Sequence, residues 1–315
     1  MVTLLSIPWI RPEPFRLVPL PDLGVEWLPD AIYVHVFGMM VALGVLVGAL
    51  VADRKGRREG IHPRVLGELM GYVMIGGFVL GHVLDAVFYH WDTVVAQPLF
   101  LLQIWNGLSS FGGFVGAVVG GLIWARMRKA DLIAFADPIA FSFPFGWTFG
   151  RIGCFFAHDH PGSVTTFFLG VEDYRITGML GPWQTRHDLG LYEAIFSAMV
   201  AVLFLVLGRK RRRRGLYLAL LPIIYAPVRF GLDFLRATDV PQADPRFLGL
   251  TPGHYGAIAL LLVGVAVAAW VWRRPEPTIP GDLGYRPEPE PVSEPAEPAA
   301  EAEPPPAEAG ESKPA

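Results

Sequence analysis

Seven apolar runs divide the chain, near residues 31–52, 66–90, 108–127, 132–157, 190–208, 216–236 and 252–272. Each is long enough, as a helix, to cross a hydrocarbon core of roughly 30 Å. The pattern predicts an all-α, polytopic integral membrane protein with seven transmembrane helices. The segments between the runs sort by charge. DRKGRREG (53–60), RMRK (126–129), RKRRRR (209–214) and Arg273-Arg274 are strongly basic, whereas 91–107 holds no Lys or Arg and 237–251 only Arg246. Basic connections stay on the cytoplasmic side. The expectation is therefore an N-terminus outside, a C-terminus inside, an N-terminal segment over 1–30, a membrane domain over 31–272 and a cytoplasmic tail over 273–315.

Composition agrees with this division. Hydrophobic residues make up 52% of the 315, charged residues 17%, and mean hydropathy is +0.41. These values exclude a soluble dehydrogenase or a nucleic-acid-binding protein. The net charge of −3 averages two unlike regions, because residues 275–315 carry ten acidic and two basic groups amid Pro, Glu and Ala. Such a composition is expected to stay disordered. The single cysteine, Cys154, excludes an internal disulfide framework and is expected to be a small packing residue. Residues 1–30 show no charged start followed by a long apolar core, so no cleavable signal peptide is expected.

With this orientation the following polar residues of the runs fall in the outer half. His35 starts the first run, and His82, Asp85, Tyr89 and His90 lie late in the second. Ser109 and Ser110 start the third, and Arg151 lies late in the fourth, followed by His158, Asp159 and His160. Asp188, Tyr192 and Glu193 start the fifth; Arg229, Asp233 and Arg236 end the sixth; His254 and Tyr255 start the seventh. Ionisable groups at membrane depth line cavities or pair with one another, so one polar, outward-facing site is expected. His82, Asp85 and Tyr89 share a helix face, as do Arg229, Asp233 and Arg236. Asp233 is in reach of both arginines, and Asp85 of His82, whose tautomer it is expected to fix. Three arginines with one nearby acid leave spare positive charge, which suits a phosphate. His158-x-His160 with His82, Asp85 or Asp159 also offers nitrogen and oxygen ligands that suit zinc. Gly112, Gly116 and Gly120 have the spacing of close helix packing; Gly112-Gly113 equally suits a lipid lying against the backbone.

Over about residues 30–272 the sequence resembles the prolipoprotein diacylglyceryl transferase family. GRIGCFFAHDHPG keeps Gly150, Arg151, Gly153, Phe155 and Gly162 of the family signature, with Cys154, Ala157 and Asp159 at positions where the family has Asn, Asn and Glu. RFGLDFLRATD carries Arg229, Asp233 and Arg236 in a second family pattern. Ser109-Ser110-Phe111-Gly112-Gly113 matches a third, with Phe111 where the family has histidine. Val36-Phe37-Gly38 and Gly81-His82 stand for its Trp-Tyr-Gly and Gly-Arg elements. The resemblance implies a multi-pass enzyme of the bacterial inner membrane whose site faces the periplasm. Its partners would be phosphatidylglycerol, preprolipoproteins and membrane lipid, with no nucleic acid, cofactor or metal. Diacylglyceryl would pass from phosphatidylglycerol to a lipoprotein cysteine thiol. Arg151 and Arg229 match the phosphate-binding positions, joined by Arg236; Asp85, Asp233 and the glycines named above would support the site. With Phe111 at the histidine position, His82, His158 and His160, with Asp159, are the candidates for the base. A metal-dependent lipid hydrolase and a non-catalytic lipid- or lipoprotein-binding homologue are the alternative readings.

Overall fold

The computed structural model describes residues 7–19, 31–103, 107–176, 179, 182–241 and 243–284, apart from the side chains of Tyr89, Ser110 and Phe111. Seven long helices follow the apolar runs closely: α1 (Val36–Arg58), α2 (Pro63–Tyr89), α4 (Ser110–Arg128), α5 (Leu132–Ala157), α6 (Leu189–Leu207), α7 (Leu216–Asp233) and α8 (Pro252–Arg273). A short α3 (Trp91–Ala96) and a 3₁₀ turn (Pro98–Leu102) lie between α2 and α4. Among the described residues, six helices are long and apolar enough to cross a membrane; they are the seven without α4. The chain is a multi-pass membrane protein, and its helices present an exposed apolar coat that includes Leu46, Phe78, Val118, Val202 and Leu262.

The fold is mostly helical, not all-α. Strands β1 (Phe15–Pro19) and β2 (Ala31–Val34) form an antiparallel pair. Strands β3 (Pro161–Val164), β4 (Val171–Tyr174) and β5 (Gln184–Asp188) form an antiparallel sheet in the order β3-β5-β4. These strands have four or five residues each, and all but β2 lie outside the apolar runs, so hydropathy alone does not reveal them. Ile7 extends the second sheet through a parallel bridge to Val171. The first helix also starts later than its apolar run, because 31–34 is strand, and it continues through the basic residues to Arg58.

Helix ends are set by side-chain caps. Ser109 accepts from Gly112 N at the start of α4, Asp131 from Ile133 N at α5 and Asp188 from Leu191 N at α6. Thr251 and His254 form a capping box at α8. At the basic end, Asp137 of α5 is buried and accepts from Leu218 N, serving the first turn of α7. Arg213 donates to the carbonyls of Val271 and Arg274, and Arg274 pairs with Asp131. Residues 275–284, assigned to the tail by composition, pack here: Leu283 is buried beside Ile61 and Leu66, and Arg214 holds the carbonyl of Pro277. The remainder of the expected tail, 285–315, and most of the expected 1–30 segment lie outside the described residues.

Small residues bring helices close. A methyl group at Gly116 would fall 2.0 Å from the carbonyl oxygen of Gly76, and one at Gly120 2.1 Å from that of Tyr72. Gly112 is equally tight, 2.5 Å from Leu80 O, so glycine here serves the α2–α4 contact. Gly44 and Gly146 do the same between α1 and α5. Gly116→Ala should therefore cost about 1–3 kcal/mol and lower the thermal unfolding midpoint in detergent. Gly71→Ala, on the same helix α2 with nothing within 4 Å of the added methyl, should be neutral or stabilising by about 0.5–1 kcal/mol.

Candidate active site

Arg151 lies two turns before the end of α5, and its guanidinium is buried against the Trp147 ring at 4.7 Å. Its Nε is 3.0 Å from Oε2 of Glu193, in the first turns of α6. Arg229 of α7 reaches the other oxygen of the same carboxylate, Nη1 to Oε1 at 3.2 Å. Tyr225 donates its hydroxyl to Glu193 Oε2 at 2.5 Å. Glu193 is completely buried, so three helices meet on one desolvated carboxylate. Charge attraction holds this contact, but hydrogen bonding does not complete it. Arg151 Nε, Glu193 Oε1 and Arg229 Nη1 are all buried without an aligned hydrogen-bond partner.

The cluster continues along α7. Arg229 Nη2 and Arg236 Nε lie 2.9 and 3.0 Å from Asp233 Oδ1, and Arg236 Nη1 is 2.5 Å from Asp244. Thr251 donates its hydroxyl to Asp233 Oδ2. His254 Nδ1 is 3.3 Å from the same oxygen, but it accepts from the Thr251 backbone N–H, so the threonine rather than the ring holds the carboxylate. The spare positive charge expected of three arginines beside one acid is thus corrected. Glu193 lies far from the arginines in sequence and between them in space.

The three residues of HDH take different roles. His158 caps α5 in the left-handed conformation (φ 50°). Its Nδ1 faces Asp188 Oδ2 at 3.0 Å and its Nε2 faces the carbonyl of Ile10 at 3.1 Å, while the ring stacks on Trp9. Both nitrogens point at oxygen acceptors, so neither offers a lone pair to a substrate proton. His160 is only partly buried, with Nδ1 2.6 Å from Asp159 Oδ1 and Nε2 3.2 Å from Arg151 Nη1. Arginine only donates. Nε2 must therefore be the acceptor, and Nδ1–H donates to Asp159. Burial pushes the Asp159 carboxyl up, but the hydrogen bond from His160 and the nearby charge of Arg151 outweigh it and hold the group below the usual carboxylate range.

His82 and Asp85 belong to a different cluster. His82 is buried with Nδ1 3.2 Å from the carbonyl of Gly107, and its Nε2 has no partner. Asp85 Oδ2 lies 3.7 Å from His90 Nε2, and the Gly107 carbonyl rather than Asp85 faces His82 Nδ1 and orients the ring. No hydrogen bond or ion pair joins either to Arg151 among the described residues. The metal-ligand sets considered from sequence are accordingly not assembled. His158 is turned away, and although Cys154, Asp159 and His160 offer ligand atoms within 4.8 Å of one another, Arg151 Nη1 is 3.7 Å from Cys154 Sγ and 3.2 Å from His160 Nε2. A guanidinium already supplies the positive charge there.

Among the glycines, Gly162 is fixed by packing, since a methyl group would fall 2.5 Å from His187 Cβ, and its carbonyl accepts from buried Arg186. Gly153 packs on Phe37 and Met40 of α1. Gly113 is looser than Gly112, and Gly150 has nothing within 4 Å.

The model of the family described as prolipoprotein diacylglyceryl transferase matches residues 27–270. The chain belongs to this family. A protein named phosphatidylglycerol–prolipoprotein diacylglyceryl transferase from Chromohalobacter salexigens is 33% identical over 246 residues, covering 77% of this chain and 90% of that one. Proteins of the same name from Teredinibacter turnerae and Xanthomonas oryzae are each 30% identical, covering 79% and 80% of this chain and 85% and 92% of theirs. In this member of the diacylglyceryl transferase family, Arg151 and Arg229 meet on Glu193.

The two histidines of HDH should separate in experiment. His158→Ala breaks a buried, paired contact and should cost about 3–5 kcal/mol, seen as a large fall in the thermal unfolding midpoint. His160→Ala, at a partly exposed position, should leave that midpoint nearly unchanged; equal falls would contradict the division of roles.

Proposed function

We propose that this chain transfers the diacylglyceryl group of phosphatidylglycerol to the cysteine thiol of a preprolipoprotein, at a periplasmic-facing site in the bacterial inner membrane. In this reading all seven long helices, α4 included, cross the bilayer within 31–272, with the N-terminus outside and the C-terminus inside. The basic connections that support this orientation stand at the end of the bundle opposite Arg151. The observation that carries the chemical reading is the meeting of Arg151 and Arg229 on buried Glu193, with unused hydrogen-bonding capacity on all three.

A lipid phosphodiester is a monoanion that fits guanidinium forks. Entering between Arg151 and Arg229, it supplies the aligned acceptors that Glu193 leaves incomplete. The sulfur lone pair then forms a C–S bond at the terminal glycerol carbon of the diacylglyceryl group. The C–O pair leaves with the phosphate as glycerol phosphate, and the thiol proton passes to a base. Charge on the phosphate grows as that bond breaks, so donors already aimed at it stabilise the transition state more than the ground state. His160 is the base. Asp159 fixes its tautomer, and Arg151 covers its Nε2 until phosphate draws the guanidinium away. Arg236, held by Asp233 and Asp244, closes the outer edge of the phosphate site. Asp233 fixes Arg229, and the open position at Gly150 leaves room for substrate. His82 supports the α2–α4 end instead of the chemistry, and the non-catalytic and metal-hydrolase readings have no comparable support.

The test is transfer from phosphatidylglycerol to a lipobox peptide in vitro, read by mass shift. Arg151→Ala and Arg229→Ala should each reduce transfer by at least ~10², the scale of losing an oriented transition-state donor. His160→Asn should lower kcat/KM by about 10²–10⁴ without unfolding the protein, while His82→Asn stays within a few-fold of the parent. Wild-type rates in both arginine variants would end the phosphate clamp. A wild-type rate in His160→Asn would return the base to another group.

A further inference from the structure

Beside Asp159 lies a cavity of about 320 Å³ whose lining does not include Glu193. Its charged lining comprises Arg11, Arg175 and Arg236 with Asp159 and Asp244. Asp244 is taken by Arg236 and Asp159 by His160. Arg11 and Arg175 are exposed and have no carboxylate partner among the described residues. Three guanidiniums against two carboxylates leave the cavity positive.

The wall that carries the two free arginines is built, not incidental. Ile7 bonds β4 on both sides, N to Gly170 O at 3.1 Å and O from Glu172 N at 2.8 Å. Trp9 is then held between the His158 ring and the Arg175 guanidinium, at 5.4 and 4.8 Å. The Ile10 carbonyl accepts from His158, and the next residue is Arg11. Trp9 and Arg11 precede the family match, which starts at residue 27, while Arg175 lies within it.

Two side-chain routes join the cavity to the proposed reaction centre. One runs Arg151–His160–Asp159, the other Arg229–Asp233–Arg236. We infer that the cavity is a second anion site, which receives the water-soluble phosphate monoester released at Arg151 and Arg229 before it escapes. The inference rests on the proposed transfer for the identity of that monoester, glycerol phosphate. The charge change favours the step. A phosphodiester bears one negative charge and a monoester about −1.5 to −2 near neutral pH, so the product gains most from a second cluster of arginines. A volume of about 320 Å³ lies within the range of small-molecule pockets, roughly 300–1,000 Å³. It suits a polyol phosphate with water, not a diacyl lipid.

The test uses the full chain in phosphatidylcholine nanodiscs, with binding of labelled glycerol phosphate read by equilibrium dialysis. Saturable binding is expected, weakened at least ten-fold by the double variant Arg11→Ala/Arg175→Gln and kept by Arg151→Ala. Initial transfer rates of the double variant should match the parent, while inhibition by added glycerol phosphate should be relieved about ten-fold. Inorganic phosphate should compete weakly, and phosphatidylglycerol placed in the nanodisc should not displace the label from Arg151→Ala protein. Absence of saturable binding, unchanged affinity in the double variant, loss of binding in Arg151→Ala, or displacement by the lipid would each overturn the inference. Because binding is read without turnover, a chain that binds glycerol phosphate but transfers nothing removes the proposed transfer and leaves the anion site standing.

Discussion

The structure depends on one buried carboxylate. Glu193 lies fully buried between two guanidiniums, and desolvating three charges costs several kcal/mol per ion before their attraction is counted. That cost is tolerable only if α5, α6 and α7 bring their ends to the same level. The caps do this. Asp188 both starts α6 and pairs with the residue that ends α5, and Thr251 both starts α8 and holds the carboxylate beside Arg229. Local helix signals and the long-range ion network thus use the same side chains. A shift of one helix by a single turn would separate all of them.

The opposite end of the bundle is organised on a different principle. Its cations bind helix carbonyls and surface acids: Arg213 holds the end of α8, Arg128 donates to Glu68 at 3.0 Å, and Lys55 lies over the rings of Phe141 and Tyr217. Cations near helix C-termini meet the negative end of the dipole, which anchors this end. At the end with Arg151, by contrast, two guanidiniums from different helices converge on one buried carboxylate without aligned hydrogen bonds.

Much of the fold was legible as hydropathy. The apolar runs match six of the seven long helices to within a few residues at their starts, because membrane length and helical rise fix a common scale. The sheets were not legible, since the stretch from His158 to Asp188 carries no apolar run to mark them. The arginines were recognisable from their motifs, but Glu193 was left out of the candidate site. Its signal was present, an acid one turn inside a span that also starts with Asp188. Charge was balanced against sequence neighbours, and the true partner lay on another helix. HDH shows a stricter limit. A left-handed residue at position 158 turns the chain, so two imidazoles two residues apart face different walls. No spacing rule carries that information.

In the proposed reaction that turn also keeps a base, His160, close to the phosphate, although Phe111 stands on α4 where the resemblance implies a histidine. His160 is not simply another imidazole in the vicinity, because its one lone pair is engaged by the same guanidinium that is proposed to receive the lipid. While Arg151 rests on His160 and Glu193, the base is masked. Phosphate competes for Arg151 through two aligned oxygens, and its arrival frees Nε2 at the place where a thiol must lose its proton. In the proposed reaction, lipid binding therefore precedes activation of the thiol. A peptide cysteine that arrives first meets a histidine already occupied, and no thiolate forms without a carbon to attack.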